Sequence, residues 1–445
     1  MNPTSIAFHH FGCKVNFAEA SSLSRRFQEE GYEIRNHHEP ADIYVISTCV
    51  VTAMAEKKCR AAIRQARKNN PGAKIAVIGC FPELKPGEVA AMEGVDLVLG
   101  HTGKFRLLEE ITAMTSPSMQ AADLVPHDYH GGLATGAVPE AKAFFPSFSY
   151  GDRTRSFLKI QDGCDYFCTY CAIPHARGRS RSDTIENVLV NAREILRHGI
   201  REIVLTGVNI GDFGRQNGEN FLSLICALDG IGGMGRIRIS SIEPDLLSDD
   251  IIAHVAHSAH FLPHFHLPLQ SGSNRILKAM HRKYTREHYA SRVAKIRELM
   301  PMACIAADVI TGFPGETDEE FTDTLHFLEG LDLSYMHVFT YSKRENTLAA
   351  GFESPVPETE KKRRSNLLHR LSEEKKRDFY RKNQSRREDV LFESDQSQGY
   401  MHGFTANYIR VRTPYDPALV NRVAAVRLDK PEEDSYLITL ENTHS

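Results

Sequence analysis

Twice along this chain, short runs of β-branched and aromatic residues alternate with helical patterns. A chain built that way is confined to parallel sheets with helices packed on their faces. The first series occupies residues 1–114: "SIAFHHFG", "DIYVIST", "AKIAVIG" and "DLVLG" are separated by "NFAEASSLSRRFQEEG", "AEKKCRAAIRQARKN" and "KPGEVAAMEG". The second, within 150–382, places "SFLKI", "REIVLTG", "RIRISSI", "FHLPL", "ACIAADVITGF" and "SYMHVFTYS" between helical segments. Six such units fall short of the eight that close a full barrel, so a closed or partly closed (β/α)6 barrel is expected, with its chemistry on the loops after the strands. Between the two series, residues 115–149 are polar and contain Gly and Pro, and read as a linker. The short strand patterns of residues 383–445 suggest a small β-barrel. The fold class is therefore α/β: an N-terminal parallel α/β sheet domain, a central partial (β/α)6 barrel and a C-terminal small β-barrel.

With 445 residues, 41% hydrophobic and 25% charged, the chain has ordinary globular composition. No segment approaches the ~18 apolar residues of a membrane span, and "MNPTSIAFHHFG" lacks the basic and apolar regions of a secretion signal. The expectation is a cytoplasmic protein without a membrane partner. In that compartment nine cysteines point to metal or redox chemistry rather than to a disulfide framework.

Six of the nine stand out. Cys13, Cys49 and Cys80 follow three different strand patterns, although 36 and 31 residues separate them. The carboxyl ends of strands in an open α/β sheet gather around one crevice, so the three can share a metal or cluster site; the alternative is that each is a small buried hydrophobe. Cys164, Cys168 and Cys171, in "GCDYFCTYC", form Cys-x3-Cys-x2-Cys on the loop after the first barrel strand. A structural zinc ion wants a fourth ligand, for which His175 is the only nearby candidate, whereas three thiolates on an iron-sulfur cluster leave one iron open. Spacing alone does not choose between the two. Cys59, Cys226 and Cys304 read as packing residues.

Other loops fall on the same barrel face: "TGVN" with Gly207 and Asn209, "SSIEP" with Ser241 and Glu243, "QSGS" with Gln270 and Ser271, and "TGFPGE" with Thr311 and Gly312. Gly, Pro and Ser often do no more than punctuate loops, but a lone carboxylate such as Glu243 at a barrel strand's end points to the site. Arg177, Arg179 and Arg181 either contact RNA phosphates or form a solvated face. Residues 358–389 hold twelve Lys or Arg against seven Asp or Glu, in a chain of net charge -3. Beyond them, period-two alternation in "NYIRVRT" sets Tyr408, Arg410 and Arg412 on one face and Ile409 and Val411 on the other; aromatic and arginine together suit RNA.

The cysteine loop at the head of a six-unit barrel resembles the radical S-adenosylmethionine (SAM) enzymes. More narrowly, "GCKVN", "TCVVT", "GC" at 79–80, "CTYCAIPHARGRSRS", "LTGVNIGDFG", "LPLQSGSNRILKAMHRKYT", "ITGFPGET" and "YSKREN" together resemble the methylthiotransferases over essentially the whole chain. The resemblance implies two [4Fe-4S] clusters and SAM as cofactors: Cys164, Cys168 and Cys171 hold the radical cluster, whose open iron takes SAM, and Cys13, Cys49 and Cys80 hold an auxiliary cluster that carries the sulfur. It implies SAM contacts for the loop residues named above. It also makes the C-terminal segment similar to the TRAM domain, an RNA-binding barrel. The partners implied are a tRNA anticodon loop and a reducing electron donor such as flavodoxin or ferredoxin; the sulfur donor is left unnamed.

By the same resemblance, the activity is replacement of C2–H of a modified adenosine beside the anticodon by a methylthio group. "GCKVN" and "GCFPELKP" look most like the branch acting on N6-threonylcarbamoyladenosine, with isopentenyladenosine or a ribosomal-protein aspartate as alternative substrates. Phe17, and Asn346 in place of Gly, depart from the branch pattern. A non-catalytic iron-sulfur RNA-binding sensor is the reading of another class.

Overall fold

The computed structural model describes residues 3–49, 53–115, 143–151, 153–432 and 435–441. Most of the expected linker, residues 116–142, lies outside the described residues. The first sheet contains β1 (Ser5–His10), β2 (Glu33–Arg35), β3 (Ile43–Thr48), β4 (Lys74–Gly79) and β5 (Leu97–Leu99), all parallel, in the order β2-β1-β3-β4-β5. The apolar runs of β3 and β4 are buried because helices cover both faces. The strand order reverses between β1 and β3, and a ligand crevice forms at such a switch point. Cys49 and Cys80 directly follow β3 and β4, and Cys13 lies three residues beyond the end of β1; the three strands are neighbours in the sheet.

The central domain opens with β6 (Ser147–Phe148), antiparallel to β7 (Ser156–Lys159). A small hairpin of β8 (Gln161–Asp162) and β9 (Arg181–Ser182) brackets the loop with the second cysteine triad. Five further parallel strands follow: β10 (Glu202–Thr206), β11 (Arg236–Ile239), β12 (His264–Gln270), β13 (Cys304–Thr311) and β14 (Tyr335–Thr340). The six run in the order β7-β10-β11-β12-β13-β14, with β11 meeting β12 only through the bridges Ile237–Phe261 and Ser241–His266. Thr184, Asn220, Ser248, Ser273, Thr285 and Thr317 cap the helices between them by accepting a backbone N–H. The barrel stays open between β7 and β14. Helix Lys14–Glu29 of the first domain lies against β6 and β7, with Phe17 and Ala18 packed on Phe157 and Val204.

Helix Glu358–Lys382 packs on β14 and leads to a closed barrel of β15 (Arg387–Ser397), β16 (Tyr400–Thr405), β17 (Arg410–Pro414), β18 (Val423–Pro431) and β19 (Tyr436–Leu440). Not all of that helix's basic charge faces solvent, because Arg364 is buried against Glu316 at 2.7 Å. Cys59 and Cys304 are core residues as expected, whereas Cys226 is exposed beside His254. No helix among the described residues is long and apolar enough to cross a membrane.

Candidate active site

Two glycines bring the first triad together. Gly12 has φ +122°, and a Cβ there would lie 2.6 Å from Cys49 Cβ; Gly79 has φ +108°, and a Cβ there would lie 2.7 Å from the Thr48 carbonyl oxygen. Only glycine permits both the backbone conformation and the approach. Asn16 completes the join, donating to the Thr48 carbonyl at 2.9 Å. Cys13 is the N-cap of its helix, but its thiol makes no capping hydrogen bond and stays exposed, with Cys49 and Cys80 buried behind it.

The second triad lies on the loop between β8 and β9, where the three thiols act electrostatically on one another. Burial raises all three thiol pKa values, that of Cys171 to about 12, so a metal is what would make them thiolates. Burial dominates at Cys168, although Arg282 opposes it by donating to the sulfur at 3.2 Å. Arg282 also pairs with Glu243, which ties the carboxylate after β11 to this triad.

The loops after the strands carry polar atoms that await partners. Asn209 is buried, yet neither its amide oxygen nor its nitrogen has a hydrogen-bond partner among the described residues; the same is true of the Thr311 hydroxyl. Native interiors rarely leave such groups unpaired, so these are places for a polar ligand. Gln161 pins the Asn209 loop by accepting from the backbone N–H groups of Val208 and Asn209 at 2.9 and 2.8 Å. Gln270 sits at the end of β12 with φ +69°. Two of the expected cofactor contacts also have partners within the fold. The Ser271 hydroxyl is fully buried against Thr324, and the Gly312 N–H donates to Glu316, with no room for a side chain beside Lys361.

A cavity of about 750 Å³ lies where the first domain, the barrel and the C-terminal barrel meet, beside the first triad. Cys13 and Lys14 line it from the first domain, Gly207 and Ser241 from the barrel loops, and Tyr408 from the C-terminal barrel. Its walls inside the barrel include His264 and His266 of β12, Asp308 and His337, with His266 Nε2 at 2.8 Å from Asp308. Burial, followed by the charges of Arg238 and Arg155, lowers the pKa of Lys14 to about 8. That excess of positive charge disfavours a cation at the His266, Asp308 and His337 cluster. Period-two alternation in "HFH" is the sequence signal that places both histidines on one face.

The expected RNA contacts divide. Arg177 is 1% exposed, between Asp162 (2.8 Å), Glu19 (3.2 Å) and Asn16, and Arg181 is buried against Asp162 at 3.2 Å. Neither reaches RNA; the seam between the first domain and the barrel buries them. Arg179 remains exposed over the Phe167 ring at 5.0 Å. Ile409 and Val411 are buried while Arg410 and Arg412 are half-buried, with Arg412 paired to Glu432 at 2.5 Å. Tyr408 does not share their face. At φ +65° it precedes the strand and turns its ring towards His264, 4.7 Å away, under the Arg238 guanidinium.

Comparison with known proteins completes the description. The profile of the "Radical SAM superfamily" matches residues 158–328 and that of "Uncharacterized protein family UPF0004" residues 5–100. "Threonylcarbamoyladenosine tRNA methylthiotransferase MtaB" of Bacillus subtilis (strain 168) is 38% identical over 96% of this chain and 94% of its own length. The protein of the same name in Aquifex aeolicus is 37% identical over 86% of this chain and 91% of its own. The "tRNA-2-methylthio-N(6)-dimethylallyladenosine synthase" of Acetivibrio thermocellus is 35% identical over 82% of this chain and 76% of its own. Among solved structures, the radical SAM methyltransferase TsrM from Kitasatospora setae, with cobalamin and a [4Fe-4S] cluster bound, aligns with a TM-score of 0.55 at 13% identity, covering 78% of this chain and 77% of its own. That likeness is one of fold.

Proposed function

The chain belongs to the radical SAM methylthiotransferases, and from that membership we propose that it inserts a methylthio group at C2 of N6-threonylcarbamoyladenosine at tRNA position 37. The observation that carries this reading is the single cavity bordered by Cys13 on one side and by Gly207 and Ser241 on the other. A sulfur source held at Cys13 would face a base bound in that cavity, and the barrel loops carrying Gly207 and Ser241 would form the opposite wall.

The donor sets suit the cofactors of the family. Two groups of three cysteines, none completed by a fourth thiol, are what clusters with one open iron need, and the unpartnered Asn209 and Thr311 offer hydrogen bonds to a polar cofactor. When bound, the clusters and SAM supply a 5′-deoxyadenosyl radical and the sulfur for the new C–S bond. The chain's own residues aim and shelter that chemistry. Arg282 holds Glu243 and Cys168 together, Gln161 fixes the Asn209 loop, and the walls of Phe157 and Val204 keep one side of the cavity apolar. A base from the single-stranded anticodon loop enters without duplex opening. Arg179, Arg410 and Arg412 are the RNA contacts of this reading, and the cytoplasm is its compartment. Flavodoxin or ferredoxin is the electron donor it calls for.

The test is mass spectrometry of tRNA nucleosides from a strain lacking the gene beside its parent. Loss of the methylthio group from threonylcarbamoyladenosine alone, restored by the gene, is expected. Unchanged nucleosides overturn the reading. With purified protein, Cys168→Ala abolishes SAM cleavage, whereas Cys49→Ala retains cleavage and loses sulfur insertion; sulfur transfer by the Cys49 variant removes the auxiliary role from that triad.

A further inference from the structure

The cavity carries more positive charge than its surroundings neutralise. Lys14, Arg153, Arg155 and Arg238 line it, and Asp308 is the one carboxylate among its lining residues. Arg155 is paired with Glu393 at 2.5 Å and Arg238 with Glu202 at 3.0 Å, while Asp308 is taken by His266. Lys14 and Arg153 have no carboxylate partner among the described residues, although both border the cavity. Phe17 is three residues beyond Lys14 and so on the same helix face, and the Arg153 guanidinium lies 4.7 Å from its ring centroid.

Two cations without a carboxylate partner among the described residues, Lys14 and the exposed Arg153, border a cavity large enough for a modified nucleoside and suit an anion on the ligand. We propose that Lys14 and Arg153 form the subsite for the carboxylate of the amino-acid substituent on N6 of the substrate adenosine. The inference rests on the substrate reading above. In adenine, C2 and C6 flank N1 on one edge, so a base presenting C2 towards Cys13 extends its N6 arm along the same helix. A carbamoyl-linked amino acid spans about one helical turn, ~5.4 Å. An isopentenyl group has no charge to offer these cations, and burying them against it costs their hydration. In this arrangement the ring of Phe17 supports Arg153 from beneath the subsite.

The experiment uses the anaerobically reconstituted holoenzyme and synthetic anticodon stem-loops carrying threonylcarbamoyladenosine, its neutral threoninamide analogue, or isopentenyladenosine. The acid is expected to bind roughly tenfold or more tightly than the amide, the worth of a charge-assisted hydrogen bond. In Arg153→Met, and in Lys14→Met, the acid-to-amide ratio falls towards one. Iron content and absorbance report cluster loading, and if the Lys14 variant fails to load, the Arg153 variant carries the test alone. Equal binding of acid and amide by the unaltered enzyme overturns the subsite while leaving the substrate reading intact. An equal loss for both ligands in the variants also overturns it, by assigning the cations to RNA phosphates. Failure to methylthiolate the threonylcarbamoyl stem-loop at all removes the substrate reading, and the subsite with it.

Discussion

Asn209 holds an amide that the fold does not satisfy, and an unpaired buried amide costs about 1–3 kcal/mol. A residue kept in that state is more useful to a ligand than to the fold. Asn209→Leu is therefore expected to raise the melting temperature of the cofactor-free protein while weakening SAM binding roughly tenfold or more, read by thermal melting and calorimetry. A variant that melts lower and binds SAM normally would assign the amide to the fold. Asn346 shows a residue departing from a pattern without departing from its geometry. It stands where the branch pattern leads one to expect Gly, and its φ of +66° lies in the left-handed region that Gly enters freely and Asn tolerates better than other side chains.

The elements at the domain seam are joined by buried charge. Glu19 accepts from Lys104 and Lys159, both at 2.7 Å, and Asp162 pairs with Lys159 at 2.7 Å and with Arg177. Burial alone would raise the carboxyl pKa values, but Arg177, Lys104 and Lys159 hold Glu19 well below the usual carboxylate range, and Lys159 and Arg177 do the same for Asp162. Glu19→Gln leaves Lys104 without a carboxylate and Lys159 and Arg177 with Asp162 alone, and is expected to destabilise the protein by about 3–5 kcal/mol, read as an earlier urea transition. His101 belongs to the same seam, its Nε2 lying 3.1 Å from Asp162 and 2.9 Å from Arg181 and its Nδ1 3.0 Å from Lys104; burial, then Lys104, lowers its pKa to about 3. Between that value and 6.5 the unfolded chain binds a proton here that the native state does not, so stability at this residue rises with pH and is lost on acidification. His101→Gln should flatten the pH dependence of melting between about 4 and 6.5; an unaltered slope would mean that the ring is protonated in the native state. The pairings that join the two domains were not legible in the sequence, because Glu19 and Arg177 are 158 residues apart and isolated charges carry no period. The sheets and the positions of both cysteine triads were legible, since apolar runs mark strands and parallel strands put their following loops on one face. Tyr408 misled for a local reason: the alternation beginning at Ile409 does not extend through the left-handed turn before it.

At the scale of the whole molecule the three domains share one chamber, and its floor depends on Glu202. This carboxylate, 1% exposed at the start of β10, pairs with Arg236 and Arg238 at 3.0 Å and faces Arg155 at 4.0 Å. The same arginines reach the C-terminal barrel: Arg238 donates to the Ala406 carbonyl at 3.1 Å, Arg236 to that of Phe404 at 3.2 Å, and Arg155 pairs with Glu393. One acidic side chain thus neutralises the cations that dock the C-terminal barrel and seat Tyr408 in the cavity wall. Glu202→Gln leaves those arginines crowded and under-neutralised, a loss of about 3–5 kcal/mol for a broken buried pair. The expected outcome is selective: the C-terminal barrel loosens from a central domain whose core lies elsewhere, and protease cleavage near the end of helix Glu358–Lys382 accelerates. Methylthiolation should then fall more steeply than SAM cleavage in the absence of RNA, because the cofactor loops lie at the opposite ends of the strands from Arg236. If Glu202→Gln loses both activities in proportion and shows no new cleavage, the carboxylate supports the central barrel alone, and docking rests on the Asn407 contacts with Met302 and Asn383 at 3.0 and 2.9 Å.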